Sequence, residues 1–148
     1  MTRHSDPAPP RPVLACACAN LRRAARAVTQ LYDEALRDAG LRATQFALLE
    51  TLRRKGELTQ GQLGYLQAMD STTLTRTLGG MRARGWIRSR HGDDRRERLW
   101  SLTSMGRRKA EQARPAWELV QKRVQSRFGR KRLVSMFDDL TAIVAAAS

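Results

Sequence analysis

Apolar positions recur along the chain with two different periods, and the switch between them places the elements. Between residues 13 and 38, Leu14, Cys18, Leu21, Ala25, Val28, Leu31 or Tyr32, and Ala35 recur at spacings of three and four, the mark of one amphipathic helix. Gly40 follows and suits a left-handed C-cap. A second helix is expected over residues 43–54 on Phe46, Leu48, Leu49 and Leu52. Thr59 then caps a short helix over residues 60–67, with Leu63 and Leu66 turned inward. Asp70 or Ser71 caps the next, which runs to about Arg84 on Leu74, Leu78 and Met81 until Gly85 stops it.

From Trp86 to Leu102 the period becomes two. Ile87-Arg88-Ser89-Arg90 leads out, Arg98-Leu99-Trp100-Ser101-Leu102 returns, and Gly92 with Asp93 and Asp94 supplies the turn of a hairpin with a basic tip. Thr103 or Ser104 caps a long helix reaching about Arg127, with a stripe of Ala110, Ala113, Trp117, Val120 and Val124. Pro115 inside it removes a backbone hydrogen bond, so a kink is expected there. Beyond Gly129, a last helix over residues 131–146 carries Leu133, Met136, Phe137, Leu140, Ile143 and Val144.

The predicted fold is therefore mostly α with a small β-hairpin. Residues 1–12, with Pro7, Pro9, Pro10 and Pro12, read as a flexible arm. Residues 13–40 form an N-terminal helix too long for the domain it belongs to, 41–106 a helix-turn-helix lobe with its hairpin, and 107–148 two C-terminal helices. The terminal helices carry apolar stripes with little core nearby. Two copies burying those stripes in an isologous contact would form a homodimer with its lobes about one DNA turn apart, ~34–36 Å.

Charge narrows the partner. The chain has 148 residues and a net charge of +14, with a pI near 11.4, an excess that seeks a polyanion. Nucleic acid is the first candidate, because Lys and Arg gain from counterion release. A membrane surface is the second, but no apolar run approaches the roughly 20 residues that span a bilayer. The N-terminus lacks the apolar core of a signal peptide, which points to the cytoplasm. The two cysteines, Cys16 and Cys18, lie two positions apart. On one helix they would point about 200° apart and could not bridge. His4 and His91 have no ligand spacing with them, so neither a metal nor another cofactor is expected.

The chemistry concentrates in two places. Ser71, Thr72, Thr73, Thr75 and Arg76 occupy the first half of the helix after the turn, the part that meets base edges in a helix-turn-helix. Hydroxyls can reach bases or phosphates, and Arg76 can take a guanine edge with two hydrogen bonds. At the hairpin tip, Arg95 and Arg96 suit a narrow minor groove, with Asp94 orienting Arg96 or Arg98, while Arg88 and Arg90 face backbone phosphates. Solvated polar faces are the plain alternative for each. No nucleophile with its base, paired carboxylates or phosphate-cradling glycine loop stands out, so no enzyme is expected.

These residues carry a resemblance. Thr75-Arg76-Thr77-Leu78, Arg84-Gly85-Trp86-Ile87, Asp94-Arg95-Arg96 and Leu102-Thr103-Ser104-Met105-Gly106, in that order, resemble the core of the MarR family of bacterial winged-helix regulators. The layout is similar over roughly residues 13–146. Where the family often has Asp-Pro before the wing, this chain has His91-Gly92. The resemblance implies a winged helix-turn-helix, a homodimer held by its N- and C-terminal helices, binding of a palindromic operator in double-stranded DNA, usually as a repressor, and release by a small aromatic or phenolic effector. Candidate effector residues are Cys18, Arg22, Tyr32, Phe46 and Trp117, an arginine among aromatics suiting an aromatic acid. Packing of the dimer is the alternative role for each.

Cys18 and Tyr32, fourteen residues apart, are also similar to the reactive cysteine and its tyrosine in the organic-hydroperoxide-sensing branch. That branch's second tyrosine falls at Ala43, and Arg22, one turn from Cys18, is the nearby cation. The resemblance thus leaves a peroxide-sensing repressor as an alternative. A reading of another class is an architectural nucleic-acid-binding protein without effector control.

Overall fold

The computed structural model describes residue 13 and residues 15–147. The arm expected over residues 1–12, with His4, and Leu14 of the first stripe lie outside the described residues. Six helices and three strands follow in order: α1 (Ala17–Leu36), α2 (Ala43–Lys55), β1 (Leu58–Thr59), α3 (Gln60–Gln67), α4 (Ser71–Ala83), β2 (Ile87–His91), β3 (Arg98–Leu102), α5 (Ser104–Phe128) and α6 (Arg130–Ala146). The fold is the mostly helical, winged arrangement expected.

Phe46, Leu48, Leu49 and Leu52 of α2 are buried, and so are Leu63 of α3 and Leu74, Leu78 and Met81 of α4. With Trp86, Ile87, Trp100, Ala110 and Ala113 they make one core. Each short helix is started by a side chain. Thr59 and Gln62 form a reciprocal capping box on α3, with Gln62 N donating to Thr59 Oγ1 at 3.1 Å and Thr59 N to Gln62 Oε1 at 2.8 Å. Asp70, not Ser71, caps α4, and Thr103, not Ser104, caps α5.

Four details differ from expectation. The hairpin gains a third strand: β1 pairs with β3, Leu58 opposite Trp100, in a sheet ordered β1-β3-β2. Two residues are too few to leave a periodic signal. Leu66 is 47% exposed rather than inward, because it sits at the end of α3 beside Tyr65 and faces a surface groove shared with Val144 and Ala145 of α6. The first helix starts at Ala17, leaving Cys16 outside it with extended backbone, φ −112° and ψ 125°. The helical argument against a Cys16–Cys18 bridge therefore does not apply; both thiols are free. Arg37 and Asp38, expected within the first helix, lie beyond its end at Leu36.

The lobe closes where the end of α4, the start of β2 and the start of α5 meet. Gly85, at φ +72°, ends α4 in a conformation that costs a side-chain-bearing residue energy. Trp86 N then donates to Met81 O at 3.1 Å. Thr103 ties this turn to α5: its N–H donates to Trp86 O at 3.1 Å, its hydroxyl donates to Gly85 O at 2.6 Å and accepts from Gly106 N at 3.0 Å. Gly106 lies so close that a Cβ on it would come within 1.9 Å of Trp86 O. Only hydrogen fits.

The terminal helices are half dressed. Leu36 is fully buried, but Val28 on the upper part of α1 is 47% exposed, and Leu119, Val134, Phe137, Ile143 and Val144 on α5 and α6 are all exposed. α5 continues as one helix through Pro115.

Gly106→Ala should destabilise the fold by at least about 2 kcal/mol, because the displaced atom is backbone oxygen and not a flexible side chain. Urea unfolding followed by circular dichroism checks this; a midpoint equal to that of wild type would show that α5 can slide away from Trp86 freely.

Candidate DNA interface and adjoining cavity

On α4 the buried and exposed faces divide the sequence cleanly. Leu74, Leu78 and Met81 point into the core, and Ser71, Thr72, Thr73, Thr75 and Arg76 are exposed. The Thr73 hydroxyl first, and then the Thr73 N–H that donates to the Asp70 carboxylate at 2.9 Å, hold the Asp70 pKa below the usual value, and the backbone bond starts the helix at a fixed point. Thr77 spends its hydroxyl hydrogen on Thr73 O at 2.9 Å. Thr75 does the opposite: its oxygen accepts from Gln60 Nε2 at 2.8 Å, leaving the hydroxyl hydrogen free to donate outward. Gln60 was not singled out by the sequence, since nothing local links it to a residue fifteen positions on.

In the wing, β2 and β3 are joined by residues 92–97. Gly92 N donates to Glu97 O at 3.0 Å, and Arg96 N to Asp94 Oδ1 at 2.9 Å. Arg95 and Arg96 are exposed at the tip. Asp94 holds Arg96 mainly through that backbone bond, with the guanidinium 3.8 Å away, and does not reach Arg98, which lies over the Trp100 ring at 5.9 Å. The ring of His91 hydrogen-bonds Arg95 O at 3.0 Å and so closes a turn lacking proline. Arg88 donates to Ser101 Oγ at 3.3 Å. Arg90 is already paired: Glu57 accepts from its Nε at 2.9 Å and from Nη2, and this raises the arginine's pKa further. Glu57 lies 33 residues upstream and carries no local signal. Arg82 at the end of α4 shares a shallow cationic cleft with Arg88, Arg90 and Arg98.

Of the five candidate effector residues, the structure brings three together. Tyr32, Phe46 and Trp117 line a cavity of about 460 Å³ between α1, α2 and α5. The Phe46 and Trp117 rings lie 5.8 Å apart, tilted by 34°. Burial pushes the Tyr32 phenol up, so it stays neutral. Ala43 also lines the space, its small side chain leaving room where the resemblance has a second tyrosine. Cys18 and Arg22 are elsewhere: both are on α1, fourteen and ten residues before Tyr32, or about 21 and 15 Å along the axis. The cavity's arginines are Arg54 and Arg114, and Glu50 lies between them. Its carboxylate accepts from Arg53 Nη2 at 3.0 Å and Arg114 Nη2 at 2.8 Å, with Arg54 Nε at 3.7 Å.

Among the described residues no group of three metal-ligating side chains occurs, and no helix is long and apolar enough to cross a membrane.

Comparison with known proteins follows the same lines. The model of the MarR family matches residues 41–97, from the start of α2 to the wing. The chain is 32% identical over 92 residues to YwoH of Bacillus subtilis (strain 168), an uncharacterized HTH-type transcriptional regulator, covering 62% of this chain and 67% of that one. It is similar to the transcriptional regulator MosR of M. tuberculosis, solved in complex with DNA, with a TM-score of 0.80 and 37% identity over 89% of this chain and 98% of that one. BpsR of Bordetella bronchiseptica, whose DNA binding is regulated by 6-hydroxynicotinic acid, superposes with a TM-score of 0.75 and 25% identity, covering 86% and 97%.

The Asp70 cap gives a pH signature. A carboxyl with a lowered folded pKa contributes its full stability above the ordinary value of 3.8 and loses it as pH falls through the lower folded value. The urea midpoint of wild type should exceed that of Asp70→Ala above about pH 5, and the gap should narrow as pH falls below about 3. A gap independent of pH would remove the charge from the cap.

Proposed function

The chain belongs to the MarR family of transcriptional regulators, and from that premise we propose that it is a homodimeric repressor of a palindromic operator, released by a small aromatic or phenolic ligand. The observation that carries the proposal is the exposed hydroxyl and arginine face of α4 opposite its buried stripe, with the solvated Arg95 and Arg96 at the wing tip. In this reading Ser71, Thr72, Thr73, Thr75 and Arg76 enter the major groove, Arg95 or Arg96 enters the minor groove, Asp94 shapes the tip, and Arg88 contacts phosphate. Arg90 contacts phosphate only at the expense of its pair with Glu57. The exposed apolar faces of α1, α5 and α6 supply the dimer contact, and a second copy sets the two lobes about one DNA turn apart, ~34–36 Å. The cavity of Tyr32, Phe46 and Trp117 receives the effector. The protein acts in the cytoplasm.

A second reading rests on the exposure of Cys18. A hydroperoxide would oxidise its thiolate to a sulfenic acid and leave as the alcohol. Tyr32 of the same chain is about 21 Å away along α1, too far to hydrogen-bond it, so in this reading a second copy brings its Tyr32 to Cys18.

Selection from a pool of randomised duplexes tests the first reading. A near-palindrome bound at least ~10³-fold more tightly than random DNA is expected, and equal binding of all duplexes would instead mark an architectural coat protein. On the selected duplex, Arg95→Ala with Arg96→Ala should lower the slope of log affinity against log salt by ~0.9 for every phosphate that the two side chains neutralise. An unaltered slope and affinity would take the wing out of the interface. Cys18→Ser should leave release by an aromatic acid intact and abolish release by cumene hydroperoxide; a mutant still released by peroxide ends the second reading.

A further inference from the structure

A ligand in the cavity would touch α1, α2 and α5, and three features of the structure converge on one point of α5. The first is the carboxylate of Glu50 on α2. Its side chain is 13% exposed and is shared by two firm partners: Arg53, through two nitrogens, and Arg114 of α5, at 2.8 Å. The second is that Pro115 follows Arg114 directly, so α5 lacks the hydrogen bond from position 115 to the carbonyl of Glu111. The third is that α5 belongs to two packing units. Ala110 and Ala113 are part of the main core, and Ala116 and Trp117 still pack against it just past the proline; further on, Val120, like Leu133 of α6, is buried outside that core. The weakened turn of α5 thus lies within its last turns on the lobe, just ahead of the part that is buried with α6. Arg114 ties α5 to α2 at that turn.

We propose that Glu50 and Arg114 are a latch beside a hinge at Pro115, opened when an aromatic monoanion in the cavity takes Arg114 from Glu50. This rests on the reading that the cavity binds an effector. The charge count favours an anion: Glu50 faces Arg54 and Arg114 at the cavity, one negative group against two positive. The exchange leaves no orphan. Arg114 passes to the incoming carboxylate, while Glu50 keeps its hydrogen bonds from both Arg53 nitrogens. A neutral ring of the same shape offers Arg114 no such replacement, and separating the pair would strand a partly buried charge. The anion therefore has the differential affinity for the opened state that any ligand-driven change requires. With the tie gone, α5 bends at position 115 and the α6 end swings relative to the lobe.

Benzoate and its neutral isostere benzamide are the probes, used on the full chain, with binding read by calorimetry and release read on the duplex selected above. Wild type should prefer benzoate at least tenfold, and benzoate should release the duplex. Arg114→Gln should abolish the preference. Glu50→Gln, which removes the competitor, should tighten benzoate binding several-fold and weaken duplex binding without ligand; Arg114→Gln reads the same pair from the other side should that variant fold poorly. Pro115→Ala should bind benzoate within twofold of wild type yet need at least fivefold more of it to release the duplex. Equal binding of both probes, with Glu50→Gln and Arg114→Gln unchanged, overturns the latch and leaves the cavity reading standing. Release from Pro115→Ala at the wild-type benzoate concentration overturns the hinge. Binding of neither probe by wild type ends the cavity reading and the latch with it.

Discussion

The contact between the first turn of α5 and the carbonyl of Trp86 fixes the relation of everything else. Thr103 caps α5, holds Gly85 O and donates to Trp86 O, so the end of α4, the root of the wing and the base of the long helix share one small set of hydrogen bonds. Gly106 brings the two backbones too close for any side chain. Because α4 and the wing leave this junction in set directions, a movement of α5 is felt by both. The residues that do this are the Arg-Gly-Trp-Ile and Leu-Thr-x-x-Gly stretches of the family pattern. Their physical role here is junction geometry, and the residues exposed for DNA lie on either side of them.

Electrostatics divides the basic residues into those held and those left mostly to solvent. Of the wing arginines, Arg90 is held by Glu57 and Arg98 lies on Trp100, while Arg95 and Arg96 are exposed, Arg96 with a loose 3.8 Å pair to Asp94. Exposed pairs of this kind contribute little stability, so their effect is on position and local charge. The Glu50 cluster differs because it is largely screened from water and joins α2 to α5 through residues 64 apart in sequence. Exchange of partners there, and not simple breakage, is what keeps charge burial from opposing a conformational change.

Much of the lobe was legible because its signals are local. Leu74, Leu78 and Met81 repeat with the helical period, Thr59 and Gln62 spell a capping box, and the hydroxyl-rich start of α4 shows its outward face by contrast. Local rules failed where an element is short or ends early. β1 has two residues; Leu66 lies on the final turn of α3; Cys16 sits one position before the helix that its spacing suggested. At the cavity the aromatic residues were found, because Tyr32, Phe46 and Trp117 are rare large rings within their helical stripes. The arginine was misplaced: Arg22 shares a helix with Tyr32, but rise along that helix carries it away.

The sequence by itself determined the six helices and the hairpin, the polar face of α4, the basic wing tip and the family, since each is written in spacings of a few residues or in an ordered set of short motifs. Only the tertiary structure decided which charges meet. Glu57 with Arg90, Gln60 with Thr75, and Glu50 with Arg114 join residues fifteen to 64 positions apart. No periodicity encodes such pairs, because the distance between them is set by how helices cross and not by how far the chain runs. The close approach at Gly106 is of the same kind. A glycine in the first turn of a helix looks merely permissive until Trp86 is seen against it.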